Sequence, residues 1–284
     1  MNEFSFIIFL PQKTLKILNL SFYSDTAELN NRAFLYGDAV RVSFFVHQSR
    51  IILAEECYFF LMASMRKMRM AIPLSYTLEF FVELFTENVI EKGVSEGVIN
   101  FHVYRNSQEN LLSKREISFY FEVETPRNIL EMQRVFEIDL IKEISVNANV
   151  LSGIHVHSPE NIYAEVYAAD NELDDVILLN PNKRIARAGI GNLLFLSGNT
   201  IKIPKQSEGA FVSPLMESFV TFVHQNKLAV IEEAELIAFE SQKAEEIMIV
   251  SDEKGIFPVM KIRNKTFEKT RFTEMVSAWS QSFA

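Results

Sequence analysis

The chain has 284 residues, 48% apolar and 23% charged, which is enough for one large core or two ordinary ones. Lys and Arg number 28 against 37 Asp and Glu, a net charge of −9 without any long basic run, so nucleic acid is excluded as a partner class. The single cysteine, Cys57, rules out an internal disulfide and points to a reducing compartment.

The opening "FSFIIFL" reads as a first β-strand. Glu3 stands where a signal peptide carries positive charge, and Pro11-Gln12-Lys13 stands where a small-residue cleavage site belongs. No apolar run approaches the roughly 18 to 20 residues of a membrane span, so the expectation is a soluble, cytoplasmic protein. "RAFLYGDAV" brings a Gly-Asp turn, followed by a strand over Val40–Val46, a tight turn at His47–Arg50 and a second strand. "AEECYFFLMASMRKMRM" has apolar residues at helical spacing and stops before Pro73. "SYTLEFFVELFTENVIEKG" predicts a second helix, with Ser75 as its cap and Gly93 as its stop. "GVINFHVYRN" and "EISFYFEVE" read as strands.

"TPRNILEMQR" has no clear period and reads as a linker. Beyond it come the strand "VFEIDLIKEI" and a helix from Ser158 (cap) and Pro159 to about Asn171. "DDVILLN" is a continuous apolar strand. "RIARAGIGNLLFLSGNTIKIP" reads as strands with a Gly198-Asn199 turn. Ser213-Pro214 opens another helix, and the strands "EIMIVSD" and "GIFPVMKI" precede a final helix. Strands arrive in runs rather than in βαβ alternation, so the fold class is α+β, in two domains. The 25 Phe and 10 Met predict thick cores or a buried subunit interface.

His155 and His157 share a face if they lie on a strand, and would begin a metal site for a metal-dependent hydrolase. A metal needs at least a third ligand, and His47, His102 and His224 are scattered, so no metal is expected. Gly189 and Gly191 read as a turn or tight-packing pair, and Asp174-Asp175 as a solvated strand start.

Four blocks in order resemble one family. "RAFLYGDAV" (32–40) is similar to its "RGFLYGDGVFE" signature. "LSGIHVHS" through "ELDDVILLN" (151–180) is similar to its lysine loop, helix and strand. "RIARAGIGNLLFL" (184–196) and "SEGAFVSPLM" (207–216) are similar to its "GxVTEGxxSNLF" block and its phosphate loop. The chain thereby resembles the class IV (fold type IV) pyridoxal-phosphate enzymes, the branched-chain and D-amino-acid aminotransferases and aminodeoxychorismate lyases. The resemblance implies an N-terminal α/β sandwich domain at 1–124, a linker at 125–133 and a C-terminal α/β pseudo-barrel at 134–284. It also implies pyridoxal phosphate as cofactor and a homodimer.

The resemblance puts His155 at the Schiff-base lysine. Imidazole has no primary amine and forms no aldimine. Arg187 falls at the carboxylate that holds the pyridine nitrogen protonated. Phe60 falls at the phosphate-binding arginine, with Cys57 at its histidine companion. Ser213, Pro214 and Leu215 fall on the phosphate loop, where Pro214 removes an N–H donor. Lys142 and Lys183, the nearest lysines, both read as solvated. The expectation is a degenerate member without pyridoxal-phosphate catalysis. Arg41, His155 and Arg187 become candidates for binding a small anion, and a partner protein is the other candidate occupant. Phe60 and Pro214 predict a partly filled cleft. The alternatives are an active aminotransferase or lyase with an atypical site, and the His155–His157 hydrolase.

Overall fold

A computed structural model describes the backbone of residues 20–23 and, in full, residues 32–105 and 117–284. The predicted strand "FSFIIFL" lies outside the described residues.

The first half builds one sheet. Its strands are β1 (Leu20–Tyr23), β2 (Ala39–His47), β3 (Arg50–Ile52), β4 (Gly97–Arg105) and β5 (Ile117–Glu124), in the order β1-β5-β4-β2-β3 and antiparallel throughout. The short helix α1 (Arg32–Tyr36) precedes β2. Helix α2 (Ala54–Lys67) buries Cys57, Phe60, Leu61, Ser64 and Met65, the single apolar face its spacing predicted. Helix α3 (Leu78–Phe85) buries Phe81 and Phe85. These rings meet Phe44, Phe101 and Phe121 in a cluster with centroids 4.8–6.2 Å apart, which accounts for much of the phenylalanine in this half. The cap of α3 is Thr77, not Ser75. Tyr76 N–H closes a turn onto the Pro73 carbonyl, so the chain becomes helical two residues later, and Thr77 Oγ1 accepts from Phe80 N–H at 3.2 Å.

Residues 125–135 connect the two sheets, and Ile129 and Leu130 within them are fully buried. The second sheet holds β6 (Phe136–Leu140), β8 (Asp175–Leu179), β9 (Ile185–Ala188), β10 (Asn192–Ser197), β11 (Thr200–Pro204), β12 (Val230–Ala234), β13 (Glu246–Ser251) and β14 (Gly255–Ile262). Their order is β12-β11-β10-β13-β14-β6-β8-β9, with β15 (Lys265–Thr266) beside β14. Pairs β11–β12, β14–β6 and β6–β8 are parallel, so the sheet is mixed. Helices α4 (Pro159–Asp170), α5 (Pro214–Gln225) and α6 (Thr270–Ser280) complete this half.

The two halves are not independent. One hydrophobic cluster joins Phe101 and Phe121 of the first sheet to Leu194, Phe219 and Trp279 of the second half. The two-residue strand β7 (His155–Val156) leaves the second half to pair with β2, setting His155 opposite Arg41.

Two local expectations change. Ser158 sits at the N-cap position of α4, but its hydroxyl donates to Glu160 at 2.8 Å instead of capping a backbone N–H. Asp175 is buried, not solvated, because the β8–β9 pair closes over it. Its carboxylate accepts from the N–H groups of Val176 (2.8 Å) and Ile190 (3.2 Å). A Cβ on Gly189 would collide with that carboxylate, and one on Gly191 with the Val250 carbonyl. Tight packing therefore explains the glycine pair.

Candidate functional site

The site lies where β7 meets β2, between the two sheets. The His155 ring stacks on Phe211, centroids 4.2 Å apart at 29°, and meets the edge of Phe60 at 6.4 Å. Phe211 is fixed by the buried Asn192, whose amide accepts from Phe211 N–H and donates to its carbonyl, both at 2.9 Å. The Arg187 guanidinium, on β9, lies over the same ring, 4.2 Å from its centroid. His155 and Arg187 are therefore brought together on Phe211, a residue the sequence did not single out, with Phe60 against the group through His155. Desolvation and the nearby Arg41 hold the His155 imidazole down to about 3, so it is neutral at physiological pH.

Arg41 is half removed from this group. It pairs with Glu253 at 2.7 Å, so its charge is already answered. Glu253, too, had no signal in the sequence beyond a polar turn. Arg187 differs. It is 4% exposed, and its one hydrogen bond among the described residues is a 3.3 Å contact from Nη1 to the Ala188 carbonyl. Burial lowers its pKa to about 10, which still leaves it cationic at neutral pH.

The start of α5 is closed from within. Ser213 Oγ accepts from Met216 N–H at 3.1 Å and donates to Asp252 Oδ1 at 2.6 Å. The same Asp252 oxygen accepts from Leu215 N–H at 3.2 Å. Pro214 has no N–H to offer. The first-turn donors of this helix end are thus engaged by a side chain and a carboxylate of the chain itself. Asp252 is buried, which pushes its pKa up to about 7. Cys57 faces the same region: burial and then Asp252 raise its thiol well above the ordinary range, so it is no thiolate nucleophile.

Two cavities flank this centre. The larger, about 770 Å³, runs between α2 and α5 and is lined by Phe59, Phe60, Lys67, Pro214, Phe222 and Trp279 among others. Phe60 and Pro214 therefore wall an open groove rather than fill it. Lys67 is the lysine that sequence reasoning missed. Its Nζ lies beside Gly153, 3.7 Å from where a Cβ would stand. Lys142 and Lys183 are exposed and line neither cavity. The smaller cavity, about 180 Å³, has Arg187, Phe211 and the first turn of α4 as walls.

His157 does not join His155. It is exposed and packs against Gly37, where a Cβ would collide with it. Among the described residues, no group of three or more His, Cys, Asp or Glu stands close enough to hold a metal. No helix among them is long and apolar enough to cross a membrane.

Comparison with solved structures finds the same architecture at low identity. A Legionella pneumophila protein named for 4-amino-4-deoxychorismate lyase superposes with TM-score 0.79 at 18% identity, over 91% of this chain and 96% of that one. The branched-chain aminotransferase of Thermoproteus uzoniensis gives 0.82 at 15% identity, over 92% and 93%. The Escherichia coli branched-chain aminotransferase gives 0.80 at 12%, over 93% and 92%. No curated protein sequence matches the chain. Residues 43–262, more than three quarters of the chain, match the family described as amino-transferase class IV. With the α+β fold and the ordered sequence blocks already described, that match makes the chain a member of the class IV aminotransferase family.

Proposed function

We propose that this protein keeps the class IV aminotransferase fold but not its pyridoxal-phosphate catalysis, and that its remaining role is to bind a small anionic ligand. The observation that carries this reading is the closed start of α5. Ser213-Pro214-Leu215 stands at the family's phosphate loop, and the Asp252 carboxylate already takes the Leu215 N–H and the Ser213 hydroxyl. A phosphate dianion there would meet a buried carboxylate and lack an arginine, since Phe60 stands at that position. His155 supplies no amine, and the cation of Arg187 disfavours a protonated pyridine nitrogen beside it. The residues present do not fit the cofactor. Titration of the purified protein with pyridoxal phosphate, followed by absorbance and by amino-transfer and lyase assays, tests this reading. It predicts no saturable spectral change and no turnover.

Lys67 gives a second reading some ground, an active enzyme with an atypical site. Lys67 lines the 770 Å³ groove, with its amine beside Gly153, and no ion pair holds it among the described residues. The same titration separates the two. A homodimer in the cytoplasm belongs to the proposal as well. Phe34, Leu35 and Tyr36 on α1 are 46–71% exposed and form an apolar patch suited to a subunit contact. Light scattering on the full chain checks it, with a dimer mass expected.

A further inference from the structure

Four other arginines near the core, Arg32, Arg41, Arg105 and Arg184, each have a carboxylate partner. Arg187, more buried than any of them, has none within 4 Å among the described residues. A cation taken out of water without a counter-charge costs several kcal/mol. The neighbouring carboxylates Asp175 and Glu160 offset that cost only in part, from beyond ion-pair distance. Asp175 turns its oxygens to backbone N–H groups, and Glu160 accepts from the Ser158 hydroxyl. Arg187 instead lines the 180 Å³ cavity, with its guanidinium over the Phe211 ring. Asn161 also lines the cavity, and its buried Oδ1 has no hydrogen-bond partner among the described residues. The cavity therefore has the Arg187 side chain in its lining together with two side chains able to accept a hydrogen bond, Asn161 and Glu160, the latter already taking one from Ser158.

We infer that this cavity binds a small hydroxycarboxylate, its carboxylate paired with Arg187 and its hydroxyl donating to Asn161 or Glu160. The inference rests on the reading of the protein as an anion-binding member of its family. The cavity, about 180 Å³, has room for a ligand as small as glycolate or lactate. A planar guanidinium pairs well with a carboxylate, and Phe211 beneath it fixes its plane. A neutral hydroxyl is the better donor than an ammonium, which would set a second cation beside Arg187.

Isothermal titration of the full chain with glycolate, acetate and glycine tests the inference. Glycolate is expected to bind saturably, and more tightly than acetate or glycine. Arg187→Met should weaken glycolate by about 10- to 100-fold, the range for a lost charged hydrogen bond. Asn161→Ala should reduce the preference for glycolate over acetate by about 3- to 10-fold. Lys142→Met, exposed and outside the cavity, should bind as the wild type does. Should Arg187→Met fail to fold, Asn147→Trp tests the same cavity from its exposed rim and should block binding. No glycolate binding by the wild type at millimolar concentration overturns the inference, as does equal binding by Arg187→Met or Asn147→Trp. Tighter binding of glycine, or acetate binding as well as glycolate, overturns the hydroxyl assignment. None of these outcomes touches the loss of cofactor chemistry, which the pyridoxal-phosphate titration reads separately.

Discussion

The start of α5 and the wall around Arg187 are two answers to one problem, an unbalanced charge at the edge of a buried cleft. At α5 the chain closes the site itself. Asp252 meets the helix N-terminus, with Ser213 and the Leu215 N–H as its donors. At Arg187 the chain leaves a buried cation with an aromatic ring, a weak carbonyl contact and an open cavity. The first arrangement satisfies a helix end from within the chain. The second leaves a buried cation beside open space, and on the proposed reading that is the place for a ligand. Buried polar groups that stay unsatisfied are the places where function is to be sought.

The contrast has a direct thermodynamic test. Asp252→Ala should be the most damaging change, costing about 2 to 4 kcal/mol in urea unfolding, because it strands the buried Ser213 and Leu215 donors. Arg187→Met should instead stay within about 1 kcal/mol of wild type or exceed it, since desolvation of the unpaired cation is relieved. Equal losses at both positions would erase the distinction between the two regions.

The pH dependence sharpens it. Asp252 titrates near 7 when folded and near 3.9 in an unfolded chain. The folded state therefore binds the proton more tightly. Its contribution to stability is full below about pH 4 and is lost as pH rises through about 7. Asp175 behaves the same way, also titrating near 7. Asp252→Asn should flatten roughly half of the stability decline between pH 4 and 7, leaving the part due to Asp175. An unchanged slope in Asp252→Asn would mean that Asp252 is ionised throughout.

The smallest expected effect is an absence. His155→Lys restores an amine at the family's lysine position, yet Leu215 N–H stays with Asp252 and Phe60 stays apolar. It should gain no tight pyridoxal-phosphate binding by absorbance. Tight binding by that single variant would show that the lysine alone was missing.

The sequence made the fold legible because its four blocks come in the family's order, and each is local. It also made the departures from the family pattern at His155, Arg187 and Phe60 legible as expectations, since each needs only a position to be read. The compensations were not legible. Asp252 lies 39 residues from Ser213, and Glu253 lies on the far side of the chain from Arg41, so "SDEKG" reads as a polar turn until the sheets are assembled. Arg41 and Arg187 looked equivalent as candidate anion ligands, and only the ion pair to Glu253 separates them. Lys67 was not singled out, because nothing in its neighbours signals that α2 ends against Gly153.

The central claim is that the cleft no longer carries out chemistry through a lysine. Incubating the wild-type protein with pyridoxal phosphate, reducing with borohydride and measuring the intact mass tests it most directly. The account predicts no stoichiometric adduct, beyond the sparse labelling of exposed lysines. One adduct per chain, mapped by peptide mass to Lys67 or to any single lysine of the cleft, would contradict it.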